Sequence, residues 1–565
     1  MASSNQQLPN DLLHLICVEL AETLDFSTLY RCALASSTLA KSGAIVNLYR
    51  KCNSAPVCGG GSETAAVEGS FSEGESIVQR WSILWRSIIL STQDKTLYPY
   101  AQYLRVLDLR DLYNLLDDDK FRGKTLNYFF SGDLKYLHMM LDTPVSKRGP
   151  RRPRLNVQSI VLSIADSITK QAIKLEELTE PVAIGVDLLS NGLKQWSPRL
   201  HHLQVIQLSD GKALADYALQ DLLISSCPLL HRVEIYRWMN DDRADPSLAR
   251  FFSKLPANTL TEFQNESECG IGPLACEALC THSKSLTSLH LAVGHVGIPG
   301  LGKLKHLTSL HSLALTDLNP PHPLETTQAD VFTDLVTWFQ SLPDLRDLHL
   351  SGFVSAPSLL APALTSHLTL HKLQINGSDT SSSLYPAREA QPFHLALRHQ
   401  TSLRSLSLAA DAEGTYGDDA LLITDSLCAL TQLTSLNLTK LSEYFTDAHV
   451  TRLCDNLPLL EELVVDGYDV GDKTLGKLHQ LGNLKQVTFS GSTRFTYRGF
   501  RGLVGRLGEG NSGLSVDVVN PRWEGRMSER EVEGVRGMLG KVGGGLVYVP
   551  VDPALAYQPS DSDSD

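Results

Sequence analysis

An α/β solenoid is the fold class predicted by this chain, and three features of the sequence predict it. The pattern Leu-x-x-Leu-x-Leu returns about a dozen times beyond residue 100, mostly at intervals of roughly 23 to 35 residues. Helical apolar patterns such as Ala218–Ser226 and Ala448–Asn456 lie between copies. Pro-containing runs (Cys-Pro-Leu-Leu, Asn-Leu-Pro-Leu-Leu) then end those helices, because Pro cannot continue them. A short strand followed by a helix at that period is the unit of a leucine-rich repeat. Such units stack on their neighbours, bury a continuous leucine core and leave one strand face open for binding.

The amino-terminal module spans residues 5–50. In LPNDLLHLICVEL, Pro9 is a helix start signal, and Asn10 or Asp11 supplies an N-cap or a first-turn charge. Leu12, Leu13, Ile16 and Leu20 then give an amphipathic helix. A second helix follows Asp25 and carries Leu29, Cys32, Ala33 and Leu39; a third runs from about Lys41 to Arg50. Three short helices make a core too small to stand comfortably alone, so a partner or the next domain is expected to cover it. Residues 51–76 are rich in Gly, Ser and Glu and read as a flexible linker. Residues 77–100 read as the cap of the array, with Trp81, Leu84, Trp85, Ile88 and Ile89 at helical spacing.

The array spans 101–550. Clear strands are predicted from Leu104, Leu134, Leu286, Leu310, Leu345, Leu403 and Leu433, and weaker ones from Val157, Leu203, Leu230, Leu260, Leu370, Leu460 and Leu484. Val516, Val518 and residues 546–549 supply two last strands, and Ser528-x-x-Glu531 is a capping box for the closing helix. The expected architecture is a ribonuclease-inhibitor-like horseshoe of about 14–16 repeats. Strand alternation puts the third, fifth and seventh positions of each unit on the exposed concave sheet. The candidate client-binding residues are therefore Tyr136, His138, Arg232, Glu234, Tyr236, Glu262, Glu266, His290, Asp347 and His349. The middle of this face is acidic with an aromatic neighbour, which suits a basic or polar peptide. Residues 551–565, ending Ser-Asp-Ser-Asp-Ser-Asp, form an acidic tail with a disordered composition. Lys147–Arg154 is a basic run between repeats, read as a solvated loop with an import signal as the alternative.

Composition narrows the function. A net charge of −13 disfavours nucleic acid as a main partner. No apolar run approaches the ~20 residues that span a bilayer, and the first residues lack the pattern of a secretory signal. The ten cysteines have no zinc spacing and read as free thiols, so a cytosolic or nuclear protein is expected. No H-E-x-x-H, G-x-S-x-G or G-x-x-x-x-G-K-[ST] occurs, and no enzyme site, metal or cofactor is expected.

The order of Leu8, Pro9, Asp11, Leu12, Leu13, Ile16, Leu20, Asp25, Leu29, Cys32, Ala33, Leu34, Ser36 and Leu39 resembles the F-box. Asp11 stands where that family usually has Glu, and the aromatic near the start of the third helix is missing. The segment YPYAQYLRVLDLRDL is similar to the first repeat of F-box/leucine-rich-repeat proteins of filamentous fungi. The resemblance implies a substrate receptor of an SCF-type, cullin-RING ubiquitin ligase, monomeric outside the complex. Leu8, Pro9, Leu12, Leu13, Ile16, Leu20, Leu29, Cys32 and Leu39 would then dock the ligase's small adaptor subunit and, through it, cullin. The repeats would hold an unknown client protein. The alternatives are a leucine-rich-repeat GTPase-activating protein, which also pairs an array with an acidic tail, and a scaffold that never meets the ligase.

Overall fold

The computed structural model describes residues 8–23, 25–50, 71–141, 154–180, 185–267, 270–318, 323–366, 368–377, 384–415, 417–519, 521 and 526–550. The chain forms two compact units, 1–266 and 267–565. Both are built from leucine-rich repeats, a parallel strand ladder backed by helices.

In the first unit the module's helices are Asn10–Glu22, Phe26–Ala35 and Ile45–Arg50, with a π-type turn at Ala40–Ala44 before the last. Cys17, Leu29 and Ala44 form its core, with Leu20, Phe26, Cys32 and Leu48 packed against them. The first helix crosses Gly43 closely: a Cβ there would fall 2.9 Å from His14 Nδ1 and 3.2 Å from the Cys17 Cβ. Asp25 caps the second helix by accepting from the Thr28 N–H at 3.0 Å. No side chain caps the first helix at Pro9, but Asp11 supplies the expected first-turn charge.

On either side of the linker, the module and the array are in contact. The Tyr49 ring stacks on Tyr100 with centroids 4.2 Å apart. The Tyr49 and Ser87 hydroxyls lie 3.0 Å apart, and the Arg105 N–H donates to the Arg50 carbonyl at 3.0 Å. The module's last helix is thus seated on the array's first turn. The capping helix, Phe71–Ser91, also starts six residues before the expected Ile77. Trp85 is fully buried, and the Trp81 and Trp85 indole N–H groups both donate to Asp111 Oδ2 at 2.8 Å.

The first unit's ladder consists of β1 (Val106–Asp108), β2 (Glu177–Thr179), β3 (Val205–Asp210), β4 (Arg232–Arg237) and β5 (Glu262–Ser267), in that order. Ile206, Leu208, Val233, Ile235 and Phe263 point into the core, which is the period-2 alternation of a half-buried strand. Two expected strands are absent. The stretch from Leu134 is a 3-10 helix, Gly132–Leu137, because Leu134 and Leu137, three apart, both reach the core from one 3-10 turn. The stretch from Val157 is a helix, Val157–Gln171, capped by Asn156 and burying Ile160, Val161, Ile164, Ala165 and Ile168. The strand of that turn is instead the short β2.

In the second unit the ladder begins with β6 (Ser288–Val293), β7 (Ser312–Asp317), β8 (Asp347–Ser351) and β9 (Lys372–Asn376). It continues through Ser405–Leu408, Ser435–Leu438, Glu462–Val465, Gln486–Phe489, Ser515–Val519 and Gly545–Val549. The register repeats from strand to strand: Leu373, Leu406, Leu436 and Leu463 stand side by side. The closing helix, Glu529–Gly540, has the expected capping box, with the Ser528 N–H donating to Glu531 Oε2 at 2.9 Å.

Candidate functional site

Two surfaces follow from this framework. The first is on the amino-terminal module. Leu8, just before the first helix, is 54% exposed, and Leu12, Leu15 and Ile16, 46%, 60% and 45% exposed, share one face of that helix; together they form an apolar ridge. Pro9 is exposed beside them and Leu13 is half-buried. Tyr30 and Leu34 of the second helix are exposed as well. Four expected docking residues face elsewhere. Leu29 is fully buried, Leu20 and Cys32 pack on the module's own core, and Leu39 is half-buried in the turn before the π-type segment. With so few residues available, the module spends Leu20, Leu29 and Cys32 on holding its helices together. Leu15 was missed by sequence reasoning, although its spacing of three from Leu12 puts it on the same helix face.

The second surface is the open face of the first unit's ladder. Glu234, Tyr236 and Glu266 line a concavity of ≈ 320 Å³ together with Arg110, Thr179, Gln207 and Gln264. The face is not the simple acidic patch that the strand positions suggest. Arg232 Nε donates to Glu234 Oε1 at 2.6 Å and lies 3.2 Å from Glu262 Oε2, so one guanidinium serves two carboxylates. Burial pushes the Glu262 carboxyl up, against the pull of Arg232. Arg110 is held by Asp108 through its Nε and Nη2, at 3.2 and 2.9 Å. Gln264 donates to Glu266. Tyr236, 61% exposed, is the large aromatic of this face. Arg110 and Gln207 were not among the expected residues; Arg110 belongs to the helix after β1 and is invisible to a strand count.

Tyr136 and His138 do not join this face. Both belong to the 3-10 segment and its end, where Gln93 Nε2 donates to the Tyr136 hydroxyl at 3.2 Å and His138 stacks on Phe130 with centroids 5.0 Å apart. In the second unit, His290 and His349 each stand in register with Ala314, forming one row across β6, β7 and β8. Asp347 is exposed at the start of β8, and His349 Nε2 lies 3.4 Å from Asn376 Nδ2.

Cys227 and Cys454, at the ends of repeat helices, are buried, and burial pushes each thiol up to about 12. Cys52 and Cys58, residues 51–70 of the linker, residues 147–153 of the basic run and the tail 551–565 lie outside the described residues. Among the described residues no helix is long and apolar enough to cross a membrane, and no group of three or more His, Cys, Asp or Glu could hold a metal ion.

No protein-family model matches the chain, and no curated protein does. Solved structures similar to it have leucine-rich repeats. Rad7 in the Rad7 and Elc1 complex from yeast is 14% identical, with a TM-score of 0.41 over 68% of this chain and 84% of that one. An internalin from Listeria monocytogenes is 15% identical, with a TM-score of 0.34 over 60% of this chain and 81% of that one. The leucine-rich-repeat protein LegL7 from Legionella pneumophila is 13% identical, with a TM-score of 0.33 over 54% and 98%. These likenesses concern the fold alone.

Proposed function

We propose that this chain is a substrate-recognition subunit of an SCF-type, cullin-RING ubiquitin ligase, working in the cytosol or nucleus. The observation that carries the reading is the ridge Leu8, Leu12, Leu15 and Ile16, left exposed on a module whose residue order resembles the F-box. Three large apolar side chains on one helix face, with Leu8 exposed just before its start, are a surface that a partner's groove would cover. The module is fixed to the array by its far end, at Tyr49 and Arg50. A docked adaptor would therefore have a rigid handle on the repeats. The ladder face around Tyr236, Glu234 and Glu266 is where the client is held, and the chain contributes proximity rather than chemistry.

The test is co-purification of the ligase's small adaptor with the full chain. Replacing Leu8, Leu12, Leu15 and Ile16 by Ser removes about 1 kcal/mol of contact per side chain, so affinity falls about a thousandfold. Leu97→Ser, at a position 85% exposed on the array, serves as the control and keeps full capture. If the ridge variant keeps its melting temperature and still captures the adaptor like wild type, the assignment to the ligase fails and a ligase-independent scaffold remains.

A further inference from the structure

A cavity of ≈ 300 Å³ opens in the second unit where three successive repeats turn from strand to helix. Its walls come from the segments following β7, β8 and β9. Pro357, Tyr385 and Phe393, all buried, are among its lining residues. Glu325 and Glu389 stand among its lining residues, which include no Lys, Arg or His. Glu325 is held in place: the buried Ser355 hydroxyl donates to its Oε2 at 2.5 Å and accepts from the Leu324 N–H at 2.8 Å. Glu389 is exposed.

That volume lies at the lower limit for small-molecule sites, about 300 Å³, so it suits one long side chain rather than a cofactor. Two carboxylates with no lining cation make the pocket complementary to positive charge. The proline-rich apolar lining favours a flat, weakly hydrated guanidinium on an aliphatic stem over a compact ammonium. We propose that this pocket is a socket for an arginine side chain on an extended segment of a partner protein. Its stem would lie on Pro357, Tyr385 and Phe393, and its guanidinium would bridge Glu325 and Glu389. The site belongs to the second unit and does not depend on the adaptor reading.

The experiment uses the full chain with methyl-labelled alanine and follows the Ala361 and Ala390 resonances, two alanines lining the pocket. N-acetyl-arginine amide is titrated in parallel with its neutral isostere N-acetyl-citrulline amide and with N-acetyl-lysine amide. The expected result is saturable shifts with the arginine amide, at least tenfold weaker binding of both others, and loss of that preference in Glu325→Gln/Glu389→Gln. Gln can still accept the Ser355 hydrogen bond, so the variant keeps its fold, which unchanged shifts of distant methyls would verify. Equal binding of citrulline, equal binding of lysine, no shift with arginine, or an unaltered preference in the double variant would each overturn the proposal.

Discussion

Glu180 directly follows β2 and is 3% exposed. The Ser209 N–H donates to its Oε2 at 3.1 Å, and the Ser209 hydroxyl to its carbonyl at 3.3 Å. Burial raises the carboxyl from 4.5 to about 8, and the nearby Asp210 charge adds to the rise. The folded chain therefore holds this proton more tightly than the unfolded chain does. Between 4.5 and about 8 the native state binds more proton, so the contribution of Glu180 is most favourable at the acid end. It is lost as pH rises through that window and is constant above it. At about 1.4 kcal/mol per pKa unit, the ionised side chain costs a few kcal/mol as an upper bound. Glu180→Gln keeps an acceptor for Ser209 and removes the titration. Its urea midpoint should match wild type near the acid end of the window and exceed it above the window's top. A variant that tracks wild type at both ends would remove the burial argument. Nothing in the local sequence Leu-Glu-Glu-Leu-Thr-Glu singles out Glu180 from Glu176 and Glu177. Only the β2–β3 pairing encloses the third of them.

At the scale of elements, the array's first turn is organised by one carboxylate. Asp111 is 8% exposed and accepts both indole N–H groups of the capping helix. Replacing it by Ala leaves two buried donors without an acceptor, a loss of about 2–4 kcal/mol. Asp111→Asn, which keeps one acceptor oxygen, should lose less. Thermal melts followed by tryptophan fluorescence would check this order; an alanine variant as stable as wild type would contradict it. The helical face bearing Trp81 and Trp85 is legible in the sequence from its spacing, whereas their partner, 26 to 30 residues further on, is not. Strands are legible wherever Leu-x-x-Leu-x-Leu stands between helical patterns. The reading fails at Leu134 and Val157, because apolar residues three and four apart satisfy a 3-10 or α-helical face equally well. That failure carries Tyr136 and His138 off the candidate face. The remaining candidates in the first unit keep their places on the ladder, but a list of exposed positions cannot show that Arg232 already serves Glu234 and Glu262.

For the molecule as a whole, the repeat design determines how damage spreads. Each interior strand of the second unit's main ladder is bonded to the strand on either side, and the repeat helices pack on those of adjacent turns. Stability is then a sum over repeats and their immediate interfaces, with few contacts that skip a turn. Leu406 is fully buried, with Leu373 and Leu436 beside it in register. Truncating such a side chain to Ala costs about 2–5 kcal/mol, and in a closed globular core that loss would be shared throughout. Here it should stay local. In Leu406→Ala, hydrogen exchange should accelerate in Lys372–Asn376, Ser405–Leu408 and Ser435–Leu438, while Ser515–Val519, three ladder positions beyond Ser435–Leu438, keeps its protection. The exchange experiment distinguishes the two cases in one sample. Uniform acceleration across all four strands would mean that the unit unfolds as a single cooperative body, and nearest-neighbour coupling would not describe it.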